Sequence, residues 1–505
     1  MVPSDIGGCA IKYFYHFVLI GLLTPFPIPV KMPLAVRLQR ILGTRQAYLV
    51  LIALNVLVTL GIMWATRNVI LSDTWSYLGL AEGILNGEYS MWWSLDGEYP
   101  DTFRAPGYPL FIAAIMSVFG TWKAVIGVQF VLYWVALYFT LRTIARFDPR
   151  LVARNLFLLF LLPMVNVPYY VAQVYTEIPV LAALSVVLFL VMRPGRWSIL
   201  VSIVLGLLFG FIFQCKPVFL LFPLLFSVTA FLLEKRGSDF RGHGVMLVTF
   251  FVTLLPFGFW NLRHHGVFKV TPVQGGGGYM HFSYWCGKMP AYTDHISLRN
   301  FTGDELIRFT PEDSVPGNIA AFEKEWAGIN AQLDLLLTAK DSAMFRAREG
   351  MKYPAENTFN SQYAMLQEKL LMQKGLEHMW NDPVYTLAYK SYSAVRLWVI
   401  GIQRGDYASA SMGGKVQMLY ATASTGVMFL LSLVLLPLAY RRGVIGLRGT
   451  WPMLLSLVYV GVFHIPFTIQ ARYTTCVRFA MFALLAMAIT GLLWGKREPT
   501  NPDRG

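Results

Sequence analysis

From residue 47 onward the chain alternates apolar runs with short polar links. Ten runs stand out, at 47–66, 124–141, 156–170, 178–192, 199–213, 218–233, 245–260, 418–438, 451–468 and 477–494. Their length and spacing predict an all-α polytopic membrane protein with about ten transmembrane helices. The run 109–119 has about half the residues a crossing needs and predicts an interfacial or re-entrant helix. Between 261 and 415 no run reaches span length. PEDSVPGNIAAFEKEW and NSQYAMLQEKLLMQKGLEHMW carry helix-start residues and helical periodicity there, so this region predicts a largely helical extracytoplasmic insert. Its end, 383–402, is amphipathic, carries Lys390 and Arg396, and is expected at the outer interface. The apolar stretch 13–30 is broken by three prolines with no small-residue cleavage pattern after it, which disfavours a signal peptide. Met32 opens a basic run leading into the first span, so the start is Met1 or Met32, and residues 1–31 are read as an upstream extension or an interfacial segment.

Composition strengthens the membrane reading. Of 505 residues 56% are hydrophobic and 14% charged, too little charge to cover a soluble protein of this size. The net charge of +14 would in a soluble chain suggest nucleic acid. Here the basic residues fall in alternate links: Arg37, Arg40 and Arg45; Arg142, Arg146, Arg150 and Arg154; Arg193 and Arg196; Lys235, Arg236 and Arg241; Arg441 and Arg442; Lys496 and Arg497. That pattern is an orientation signal and a contact for anionic membrane lipid, with both ends of the chain inside and no nucleic acid partner expected. The organisation is then 1–46, an extension and cytoplasmic basic segment; 47–260, a transmembrane module with a first outer loop at 67–109; 261–415, the insert with its interfacial helix; 416–497, the closing transmembrane helices; and 498–505, a cytoplasmic tail. The expected location is the inner (plasma) membrane. Cys9, Cys215, Cys286 and Cys476 have no CxxC or Cys/His ligand spacing, so neither a zinc site nor a disulfide framework is indicated.

Span interiors hold almost no charge, unlike transporters and proton relays, which keep ionisable groups near the midplane. Polar residues collect instead at the outer ends of the spans. Asp73, in Ser72-Asp73-Thr74, either caps the helix running through Tyr77 or serves as a general base. Asp96, Glu98 and Asp101 are expected to be solvated loop charges. Arg104, in FRAPGYP beside Tyr108, either grips a phosphate through its planar fork or snorkels to headgroups. Glu177 is a helix-dipole partner or a contact for acceptor or metal, and Lys216 snorkels or binds an anion. Arg263 leaves a span with His264 and His265. The glycines 275–278, with Gly276 among them and Tyr279 after them, allow close approach to a ligand or form a flexible link. Arg472 and Tyr473 close the series in QARYTT.

In this order the motifs resemble those of the membrane-embedded GT-C glycosyltransferases, especially the bacterial relatives of protein O-mannosyltransferases and of the lipid A aminoarabinose transferase. The resemblance spans 47–494 and rests on DTWSYLGLAEGILNGEY, RAPGYPLFIA, CKPVF, WNLRHHGVFKVTPVQGGGGY and ARYTT. It implies a GT-C fold and transfer of a sugar, with inversion, from a polyprenyl-phosphate donor to an envelope acceptor on the outer face. Carried over by position, Asp73 is the base or acceptor-orienting group, and Arg104, Lys216 and Arg472 hold the lipid phosphate, with Arg263 a further candidate. Tyr77, Tyr108, Gly276, Tyr279 and Tyr473 are then expected to line the substrate. The family often has Asp-Glu where this chain has Asp73-Thr74, and Glu177 is the candidate for the second carboxylate. No cofactor is required by this chemistry, although a divalent metal ion is compatible with it. Alternatives are an outer-face polysaccharide polymerase or ligase using a diphosphate-linked donor, and a non-enzymatic lipid or sugar transporter.

Overall fold

The computed structural model describes residues 34–67, 69, 71–93, 99–193, 195–234, 240–289, 310–339, 341–342, 360–402, 404–467 and 470–495. The upstream segment with both candidate starts, Cys9, Asp96, Glu98, Lys235, Arg236, Lys496, Arg497 and the tail lie outside these. Among the described residues all regular secondary structure is helical. The helices are α1 (Leu34–Leu42), α2 (Arg45–Thr66), α3 (Ser72–Leu85), α4 (Gly107–Phe119), α5 (Ala124–Phe147), α6 (Leu151–Leu161), α7 (Glu177–Val191), α8 (Ile199–Cys215), α9 (Phe222–Glu234), α10 (Phe240–His265), α11 (Gly276–Trp285), α12 (Val315–Asp334), α13 (Ser361–Asn381), α14 (Pro383–Arg396), α15 (Met412–Arg441), α16 (Leu447–His464) and α17 (Arg478–Trp494).

Among the described residues five segments are long and apolar enough to cross a membrane: α2, α5, α10, α15 and Ala471–Trp494, which contains α17. The expected spans at 156–170, 178–192, 199–213 and 218–233 fall on shorter apolar helices, and the run 109–119 forms the short apolar helix α4. Local signals place several boundaries. Thr44 caps α2 by accepting from the Ala47 N–H at 3.1 Å, Ser198 caps α8 by accepting from Val201 N–H at 3.3 Å, and Asn360 caps α13 by accepting from Tyr363 N–H at 2.9 Å. Helix α4 stops at Gly120, whose φ of +69° is the left-handed conformation that closes helices.

The core is organised around α17, in which every side chain from Phe479 to Ala488 is buried, packed by α5, α6, α7, α15 and α16. Polar side chains join helices where no water competes: Asn55 Nδ2 on α2 donates to Leu158 O on α6 at 3.1 Å. Helices α8 and α10 approach closely because α8 presents Gly206 and Gly210 on one face; a Cβ on Gly210 would stand 2.2 Å from Thr253 Oγ1.

The alternating helix directions sort the links onto two ends of the bundle. At one end Arg150 Nη1 donates to Gly495 O at 2.9 Å, Asn155 Nδ2 to Leu42 O at 2.6 Å and Trp494 Nε1 to Ala35 O at 3.0 Å, which gathers the start of α2 and the finish of α5 and α17. At the other end lie the C-termini of α2, α8, α10 and α16 and the N-termini of α7 and Arg478-led α17. Helices α11–α14 extend from this second end. Lys390 of α14 is buried; it donates to Ser283 Oγ and to Pro466 O at 3.0 Å, and so fastens α14 to α11 and to the residues after α16.

Candidate functional site

Helix α3 follows the membrane-crossing α2 almost at once, which puts its first turn at the second end of the bundle. The residue before it, Leu71, makes no side-chain cap, and the Asp73 carboxylate is not used as one either. It reaches two cations instead. Asp73 Oδ1 accepts from Arg104 Nη2 at 3.3 Å, and Asp73 Oδ2 pairs with Arg472 Nη2 at 2.8 Å. Ser76, one helical turn on, accepts from Arg104 Nη2 through its Oγ at 3.1 Å. Burial would raise the Asp73 pKa, but the charges of Arg104 and Arg472 and their hydrogen bonds outweigh it and hold the carboxyl at about 2. Both guanidinium groups also lie against rings, Arg104 4.8 Å from the centre of Tyr77 and Arg472 4.8 Å from that of Tyr175. The Nε of Arg472 is buried with no hydrogen-bond partner among the described residues, so this cation has donor capacity left.

Arg104 sits on a braced loop. Asp101 is buried rather than solvated as expected, because its Oδ2 accepts from the backbone N–H of Phe103 at 3.0 Å and of Arg104 at 2.6 Å and so shapes the turn. Tyr89 OH donates to Arg104 O at 2.9 Å. On the other flank Tyr108 OH donates to Gln129 Oε1 at 2.8 Å, and Gln129 Nε2 donates to Gln173 O at 2.7 Å, tying the start of α4 to the loop before α7. Tyr77 meets Tyr108 edge-on with ring centres 4.9 Å apart.

A second ion pair lies beside the first. Glu177 opens α7 and is buried; its Oε1 accepts from Lys216 Nζ, at the end of α8, at 2.9 Å. Lys216 Nζ in turn stands 5.5 Å from the ring centre of Tyr473, which stacks on His464. Arg472 and Tyr473, adjacent in sequence, therefore each face one of the two pairs. Of the candidate residues, Asp73, Tyr77, Arg104, Tyr108, Glu177, Lys216, Arg472 and Tyr473 come together in one connected group.

Arg263, Gly276 and Tyr279 are placed differently. Arg263 is exposed in the last turn of α10, with no hydrogen bond or ion pair to this group among the described residues. The glycine run serves packing within the protein: Glu368 of α13 accepts from Gly275 N–H and Gly277 N–H, each at 2.9 Å, and a Cβ on Gly277 would stand 2.3 Å from Glu368 O. Gly276 is enclosed in the same contact, and Tyr279 lies 6.4 Å from Phe103, ring centre to ring centre. Close approach at these glycines is thus to α13. The Arg104 loop is reached indirectly, since Thr102 Oγ1 donates to Gln274 Oε1 at 3.0 Å and His265 Nε2 lies 3.0 Å from Asp101 O.

Sequence reasoning missed Ser76, Tyr175 and Arg478. Ser76 was detectable from its position three residues after Asp73. Arg478, fully buried and donating to Trp398 O at 3.1 Å, has no legible signal beyond being a cation inside an apolar run. Cys215, Cys286 and Cys476 are free thiols. Among the described residues one group could hold a metal ion, His281, Glu325 and His378 in the insert, whose ligand atoms all lie within 4.8 Å of one another.

No family model matches the chain, and no curated protein does. Among solved structures it is similar to ArnT from Cupriavidus metallidurans bound to undecaprenyl phosphate, at 14% identity and a TM-score of 0.35, over 89% of this chain and 79% of that one. The apo state of the same protein is similar at 14% identity and a TM-score of 0.35, over 87% and 77%.

Proposed function

We propose that this chain is a multi-pass glycosyltransferase of GT-C type in the inner (plasma) membrane. It moves a sugar from a polyprenyl-phosphate donor to an envelope glycan, lipid or protein at the extracytoplasmic surface, with inversion. The observation that carries the reading is Asp73 held between Arg104 and Arg472 at one end of an apolar bundle, with the Glu177–Lys216 pair alongside. The ordered motifs of the sequence and the basic links at the opposite end support the same assignment.

The chemistry follows from charge. A carboxylate clamped by two guanidinium groups is a weak base, so in this arrangement Asp73 is a counterion that keeps two buried arginines in place. An arriving lipid phosphodiester offers the arginines a better-matched partner through planar, bidentate contacts. Their transfer to the phosphate releases Asp73, whose pKa then rises toward the ordinary carboxylate value and whose oxygen becomes a competent acceptor. The acceptor hydroxyl attacks the anomeric carbon from the face opposite the phosphate, the carbon–oxygen bond to phosphate breaks with its electron pair going to the phosphate, and the hydroxyl proton passes to Asp73. The phosphate gains negative charge in that step, and Arg104, Arg472 and Lys216 stabilise it in a site sheltered from water. No nucleotide-sugar site is needed, and the apolar helices offer a surface for the prenyl chain.

The test is mass spectrometry of envelope glycans and lipids from cells with the protein, without it, and with Asp73→Asn. A glycosylated product should vanish in the last two while a polyprenyl-monophosphate-linked sugar accumulates. Unchanged profiles on removal of the protein exclude the assignment; accumulation of a diphosphate-linked oligosaccharide instead identifies a polymerase or ligase.

A further inference from the structure

Helices α11, α12 and α13 of the insert converge on three side chains remote from one another in sequence. His281 Nε2 lies 2.7 Å from Glu325 Oε1, and His378 Nε2 lies 2.7 Å from Glu325 Oε2 and 3.0 Å from Oε1. We propose that His281, Glu325 and His378 form a zinc-binding site that clamps the insert. The inference goes beyond the transfer reaction and stands whether or not that reading is right.

The donor set is the first reason. Two imidazole nitrogens and one carboxylate suit zinc, which binds nitrogen at about 2.0–2.1 Å and carboxylate oxygen at about 2.0–2.2 Å, whereas magnesium and calcium seek oxygen. Ligand atoms on one tetrahedral zinc stand roughly 3.3 Å apart, a spacing that follows from those bond lengths. The two histidine-to-carboxylate separations of 2.7 Å therefore need to open by roughly 0.6 Å, and the widest separation in the set, within 4.8 Å, needs to close toward the same spacing. Such a set fills three positions and leaves a fourth for water.

The second reason is that the ligands are held in place from behind. His378 stacks on Tyr284 with ring centres 4.6 Å apart and planes within 9°, and buried His281 lies beside Phe322 and Trp326, with ring centres at 5.9 and 6.1 Å. Trp285 Nε1 donates to Glu325 Oε1 at 3.3 Å, the outer hydrogen bond that a ligating carboxylate ordinarily receives. Both Nε2 atoms point at the carboxylate, as convergent ligands must. A metal-free arrangement in which both imidazoles simply donate to Glu325 uses the same geometry, and the experiment separates the two.

The consequence is mechanical. Helix α11 begins at the glycines beside Phe103, the neighbour of Arg104, and Ser361 at the start of α13 lies 2.7 Å from His265 Nδ1, while His265 Nε2 reaches Asp101 O. A metal joining α11, α12 and α13 would thus brace the loop that carries Arg104.

The test uses the full chain purified in detergent. Elemental mass spectrometry should find about one zinc per chain. After stripping with chelator, cobalt(II) should bind one to one with the visible absorption of a tetrahedral site, and zinc should displace it. Glu325→Gln and, separately, His378→Gln should weaken zinc binding at least about tenfold. Chelator should lower the wild-type melting temperature and leave that of the variants unmoved. Two variants on different helices guard against misfolding of one, and the stripped wild type reports without any substitution. Folded, stripped wild type that takes up no stoichiometric zinc or cobalt, or variants that bind as the wild type does, would overturn the proposal.

Discussion

Arg472 Nη2 lies 2.8 Å from Asp73 Oδ2, which joins the turn before the last helix to the first turn after the first membrane-crossing helix. Arg104 completes the contact from the other carboxylate oxygen. Asp73 thus pairs with both of the arginines.

Replacing Asp73 by Asn should lower turnover at least about a hundredfold, the scale of a lost acid–base group. The same change leaves two mostly buried cations facing a neutral amide, so stability should also fall, by about 3 kcal/mol or less given the residual exposure of all three side chains. Asp73→Asn combined with Arg472→Gln should recover part of the melting temperature without recovering activity. Wild-type turnover in the single variant removes Asp73 from the mechanism.

Arg104→Lys keeps the charge and loses the planar fork that reaches Asp73 and Ser76 together. Donor binding should weaken in Lys and weaken further in Ala, read as a rise in donor KM of roughly tenfold per step. Equal behaviour of the two variants would show that the side chain only reaches toward headgroups.

The pH dependence of stability carries a signature of the clamp. The folded pKa of Asp73, about 2, lies below the ordinary value of about 3.9. Its contribution is therefore fully present above pH 4 and is lost as pH falls from there through about 2. The melting-temperature difference between wild type and Asp73→Asn should be flat from pH 7 to about 5 and should shrink in the more acidic window. A difference that fades between pH 7 and 5 would mean that the arginines do not hold the carboxylate in solution.

Gly210→Ala should cost roughly 1–3 kcal/mol, since the new methyl would meet Thr253 Oγ1 at 2.2 Å and force α8 from α10. Gly127→Ala, where a Cβ meets nothing within 4 Å, is the matched control and should be tolerated. Detergent melting curves decide it; equal melting temperatures would show that α8 and α10 are not held at this spacing.

The legible part of this protein is what depends on local pattern. Apolar run length marks the helices because a bilayer or an apolar bundle admits only segments whose backbone bonds are internally satisfied. The alternation of basic links sorts the helix ends, so the sequence already assigns Asp73, Glu177, Lys216 and Arg472 to one end. Each was ambiguous by itself, since a lone carboxylate at a helix start reads equally as a cap.

What the chain could not disclose is pairing across distance. Nothing near Asp73 names Arg472 as its partner, and nothing near Glu177 names Lys216; packing of α7, α8 and the turn before α17 decides both. The glycine run is a further case, since the group that approaches its backbone is Glu368, supplied by a helix far along the chain. The His281–Glu325–His378 cluster is the extreme case. Its members stand 44 and 53 positions from the carboxylate that unites them, beyond any ligand-spacing motif, so the sequence by itself determined an apolar helical bundle with its chemistry at one end, and only tertiary packing decided which charges meet there.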